Sequence, residues 1–76
     1  MPTLLRIPVD FNSMMMEPYQ RVIVHPSVVA HYQYQLQPHL RVVLYDEEMA
    51  VEAIMDYENY SQIWFGVPDW STCINI

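Results

Sequence analysis

Three histidines, His25, His31 and His39, are the side chains best able to hold a transition metal or to change charge near neutral pH. Structural metal sites need closely spaced ligands, usually with a cysteine or carboxylate completing the set. Here the histidines fall six and eight residues apart, and the single cysteine, Cys73, is distant in sequence. His25 and His39 each adjoin a proline, which suits surface loops, so neither metal nor cofactor is expected. If the three imidazoles did cluster, stability would vary with pH near neutrality. Two acidic stretches come next, Asp46-Glu47-Glu48 and Asp56 with Glu58. Calcium loops combine alternating oxygen ligands with a glycine at the bend, and neither stretch has that pattern. Paired carboxylates work as acid and base only when unlike environments separate their pKa values. On exposed turns both would ionise. The serines lie outside any nucleophile elbow. No catalytic residue is assigned, and the chain reads as a non-enzyme.

Aromatic residues are the stronger hint. Tyr45, Tyr57, Tyr60, Trp64 and Trp70 exceed what one small core face can take. Tyrosine and tryptophan beside carboxylates suit recognition of Arg- or Lys-bearing segments through cation–π contact and ion pairing. The candidate partner-binding residues are therefore Tyr45, Tyr57, Trp64 and Trp70 as apolar anchors. Glu47, Glu48, Asp56 and Glu58 are the electrostatic selectors. The expected function is an acidic adaptor or regulatory module that binds another protein with a basic surface. The alternative is a structural subunit whose surplus aromatics close a homodimer.

Charge and composition narrow the partners. Nine carboxylates face three arginines, with no lysine, for a net charge of −6. Nucleic acid and anionic membranes both select cationic surfaces, so neither is expected as a partner. Hydrophobic residues make up 53% of the chain, enough for a core and too many for a disordered segment. The length fits a single small β domain spanning 1–76. A lone cysteine forms no internal disulfide, which suits a reducing, cytoplasmic setting. Neither a membrane span nor a signal peptide is visible, and Met1 reads as an initiator.

The elements that would position these residues are mostly strands. Leu40–Tyr45, Met49–Met55 and Ile63–Val67 are apolar, β-branched runs broken by the two acidic turns, which predicts an antiparallel meander. Leu40–Tyr45 is apolar on both faces and is expected to be the central strand. Val51, Ala53 and Met55 should share the core face of the next run. In the third, Ile63, Phe65 and Val67 are expected inward and Trp64 outward. The first acidic turn lacks glycine and asparagine, which favours a loop of about three to five residues. Asn59 is the residue of the second most tolerant of positive φ.

Upstream, Thr3–Phe11 reads as an edge strand containing Pro8. Asn12–Pro18 reads as a loop with one helical turn, and Tyr19–His25 as a second strand. Pro26–Gln37 fits a short helix started by Pro26, although its alternation also fits a strand. Ile74 and Ile76 either dock on the sheet or fray. The fold class is mainly β: a small antiparallel bent sheet or β-barrel of about five strands, with one short helix between strands 2 and 3.

Leu44-Tyr45-Asp46 resembles the ALYDY motif of Src-homology-3 domains, and Gly66-Val67-Pro68-Asp69-Trp70 resembles their closing G-x-I-P-x-N-Y. Those domains bind proline-rich peptides on aromatic rings beside acidic loops. The two stretches lie too close together here and the paired tryptophans are missing, so the resemblance assigns no family.

Overall fold

The computed structural model describes residues 3–12, 15–16 and 21–75. The elements in order are β1 (Leu5–Pro8), β2 (Met15–Met16), β3 (Arg21–Ile23), α1 (Pro26–Tyr32), β4 (Arg41–Tyr45), β5 (Met49–Glu58) and β6 (Ile63–Pro68). A 3-10 turn, Trp70–Thr72, and a final strand β7 (Ile74–Asn75) follow. One sheet runs in the order β1-β4-β5-β6-β3-β2, with β7 added to β5. The fold is mainly β with one short helix, as expected. The sheet is open, so the barrel alternative is excluded.

The meander β4-β5-β6 forms as the alternation predicts. Three details differ. The axis of the sheet is β5, flanked by β4 and β6, and not the run ending at Tyr45. That run is one-sided: Val42 and Leu44 are buried while Arg41 is exposed. The edge strand β1 pairs with β4 in parallel, so the sheet is mixed. Met15–Met16, within the stretch expected to turn helically, pairs with β3 as a strand. The rest of that expected turn, the start of the strand at Tyr19 and the final Ile76 lie outside the described residues.

Local chemistry explains the connections. Asp46 Oδ1 accepts the backbone N–H groups of Glu48 and Met49 at 2.8 and 2.9 Å, closing the β4–β5 turn without glycine. The helix over Pro26–Tyr32 starts with His25 as its cap, Nδ1 accepting the Ser27 N–H, and Pro26 in the first turn. Beyond β6 the ladder to β5 is interrupted by the 3-10 turn. There Thr72 Oγ1 accepts the Glu52 N–H at 2.9 Å and donates to the Asp69 carbonyl at 2.7 Å. A side-chain hydroxyl thus replaces a missing strand carbonyl, and β7 resumes the ladder at Met49 and Ala50.

The core lies on one face of the sheet. Ile7, Val22, Val42, Leu44, Val51 and Met55 are almost wholly buried. Val28, Val29 and Tyr32 of α1 pack against them, and Leu36 and Phe11 close the sides. The β6 register places Gly66 opposite Met55 and Trp64 opposite Tyr57, on this inner face. The expected orientation of β6 is therefore reversed: Trp64 faces inward, and Phe65 and Val67 face outward. The reason is space. A Cβ at position 66 would lie 2.8 Å from Leu44 Cδ1 and 3.3 Å from Ala53 Cβ, so only glycine fits there. Phe65, on the outer face, is kept from water by Arg21, whose guanidinium carbon stands 4.7 Å from its ring centroid.

Candidate functional site

The aromatic and acidic candidates occupy four places. Tyr57 and Trp64 pack together on the inner face, ring centroids 5.1 Å apart, half-buried against the core. Trp64 also borders an apolar cleft of about 340 Å³ beside Val29 of α1. Trp70 leans on the buried Phe11 at 6.3 Å. These three rings are structural packing first, with Trp70 the most exposed of them.

A groove of about 720 Å³ brings Tyr45, Glu47 and Glu48 together with Arg6, Asp10, Asn12 and Asp46. It exists because β1 runs parallel to β4. The Val9 N–H donates to the Tyr45 carbonyl at 2.9 Å, which carries Asp10 and Asn12 alongside the β4–β5 turn. Nothing local in the residues around Asp10 announces that long-range pairing, so Arg6, Asp10 and Asn12 were not legible as site residues. Within the groove the carboxylates are not equivalent. Asp46 holds the turn, as above. Asp10 Oδ1 accepts the Asn12 N–H at 3.0 Å. Glu47 and Glu48 are exposed at the rim. The Tyr45 ring already carries a cation, the Arg6 guanidinium at 5.0 Å from its centroid.

Asp56 and Glu58 lie at the other end of β5 from this groove. Both were expected in a turn, but β5 runs on to Glu58 and holds them in the strand; with a rise of about 3.3 Å per residue, the two acidic groups are roughly 25–30 Å apart. The expected selectors therefore do not share one surface. Glu58 is also engaged in its own turn. Its carboxylate accepts Ser61 Oγ–H and the N–H groups of Ser61 and Tyr60, and these bonds hold its pKa below the ordinary value. Asp69 is lowered in the same way, by the hydroxyl and N–H of Ser71. The histidines are dispersed: His25 caps α1, His31 sits in its last turn, and His39 takes a positive φ of 69° in the loop before β4. Among the described residues no group of three His, Cys, Asp or Glu converges to hold a metal ion.

The outer face of the sheet is a second surface. Side by side across it lie the rows Arg6–Val43–Glu52, Arg41–Ile54–Val67 and Ile23–Phe65–Asp56. Ile54 and Val67, directly paired, are 36% and 43% exposed. Arg41 Nε meets Glu52 Oε1 at 2.7 Å, and both ends are well exposed, so this pair contributes little to stability. No helix among the described residues is long and apolar enough to cross a membrane. No family model, no curated protein and no solved structure matches the chain.

Proposed function

We propose that the chain is a non-enzymatic protein-binding module, of adaptor or regulatory type, that takes a basic segment of a partner protein in the groove between Asp10 and the β4–β5 turn. The observation that supports this reading is the convergence of Asp10, Asp46, Glu47 and Glu48 around one concave surface with an aromatic wall. The Arg6–Tyr45 stack is an internal example of the contact an incoming arginine would make. Glu47 and Glu48, whose side chains are exposed, are the groups free to meet a cation on arrival. Such charges act mainly on association rate and partner choice. A cytoplasmic setting goes with this reading, since a lone, partly buried thiol suits a reducing compartment.

The test is titration of an arginine-rich peptide into the wild type and into a Glu47→Gln/Glu48→Gln variant. Both residues are exposed, so the fold should persist. We expect affinity to fall about tenfold in the variant, equivalent to about 1.4 kcal/mol, and to fall steeply with added salt in the wild type. Affinity that is the same in both proteins and insensitive to salt would remove the proposal.

A further inference from the structure

We propose a role for Arg6 that rests on reading the groove as the site of a basic segment: Arg6 is an internal stand-in for the partner's arginine, covering the Tyr45 ring until that segment displaces it. The guanidinium carbon of Arg6 lies 5.0 Å from the Tyr45 ring centroid, and both residues line the groove. The parallel register brings them together. Ile7 and Leu44 are paired and buried, so Arg6 and Tyr45, one on either side of that pair, share the opposite face of the sheet.

What holds Arg6 on the ring is weak. Among the described residues it makes no ion pair, although four carboxylates line the groove. Asp10 and Asp46 turn Oδ1 to backbone N–H groups, and Glu47 and Glu48 stand exposed at the rim. Arg6 is itself exposed, and a cation–π contact open to water is a weak one. Its presence nevertheless opposes a partner in two ways. It covers the surface on which an incoming guanidinium would lie, and two cations on one ring repel. It also sets a positive charge among the carboxylates that attract the partner. A partner binds only those molecules in which Arg6 has swung away, so the apparent affinity falls by that fraction. The contact therefore selects for clustered arginines. A segment with one guanidinium exchanges one stack for another, whereas a segment with several also reaches the rim carboxylates. Lysine, a compact ammonium without a planar face, displaces Arg6 less well.

The experiment is calorimetric titration of the arginine-rich peptide into the wild type, Arg6→Gln and Arg6→Lys, with NMR of the Arg6 side chain in the wild type. Arg6→Gln uncovers the ring and removes the charge, so it should bind about fivefold tighter at low salt. Arg6→Lys keeps the charge and should gain less. In the wild type the Arg6 methylene protons should carry an upfield ring-current shift from Tyr45 that disappears as peptide saturates the groove. That readout needs no substitution, so it decides the matter even where a variant misfolds, and circular dichroism checks each fold. Arg6→Gln that binds no tighter than the wild type overturns the inference. So do Arg6 protons that keep their shift at saturation. In both cases the peptide still binds, and the groove reading survives. A peptide that binds neither the wild type nor Arg6→Gln overturns the groove reading itself, and the role of Arg6 with it.

Discussion

A methyl group at position 66 has nowhere to go. Its nearest neighbours, Leu44 Cδ1, Ala53 Cβ and Met55 Sδ, belong to residues almost completely buried, so none can move without disturbing the core. Gly66→Ala should therefore destabilise the protein by about 1–3 kcal/mol, even after the entropy alanine saves in the unfolded chain. Chemical denaturation checks this; an unchanged or raised midpoint would show that the β6 register is different. The same residue explains why the orientation of β6 could not be read by alternation. Phe65 and Ile63 are the apolar choice for a core face, whereas the real core face here has room only for a glycine opposite Met55. The decisive fact is the volume already filled by Leu44, on a strand two places away in the sheet. By contrast, Val51, Ala53 and Met55 were legible as one buried face, because their neighbours Glu52 and Asp56 are polar and leave alternation only one answer.

At the scale of elements, turns and caps do much of the positioning. The β5–β6 turn, residues 59–62, depends on Glu58, whose carboxylate gathers Ser61 and Tyr60. It also contains Gln62 at a φ of 58°, where Asn59 was the expected site of positive φ. Glu58 and Asp69 both have pKa values lowered by these bonds. A carboxylate with a lowered folded pKa adds stability above its unfolded value, about 4.3 for Glu and 3.9 for Asp. That stability is lost as pH falls through the folded value. Thermal melts between neutrality and about pH 3 should thus show the wild type losing stability below about pH 4.5. Glu58→Gln should be less stable at neutral pH and should lose less on acidification. A variant whose acid loss matches the wild type would mean that the Ser61 bonds do not hold in solution. The first meander turn and the helix start at Pro26 were readable because turn and cap residues are local signals, whereas β5, expected to end at Met55, runs on to Glu58 because its partner strand β6 continues the ladder to Ile63. The parallel β1–β4 pairing was not, since it joins residues far apart in sequence.

For the whole molecule, the architecture sorts charge by place. The turns at the β1–β4 end hold Asp10, Asp46, Glu47 and Glu48, while Arg41, Glu52 and Asp56 lie on the open sheet face. The aromatic–acidic surface expected from the sequence divides accordingly. Tyr45, Glu47 and Glu48 remain together, Asp56 and Glu58 sit at the far end of β5, and Tyr57 and Trp64 turn inward to pack. Composition showed the acidity but not where it is concentrated, because that depends on which strands the sheet makes neighbours. The measurement that tests binding at the groove most directly is an NMR titration of the amide-labelled protein with an arginine-rich peptide, at low and at high salt. Shifts should be confined to residues around Asp10, Asn12 and Tyr45–Met49 and should diminish as salt is added. Shifts that centre on the β5–β6 turn, or none at millimolar peptide, would contradict it.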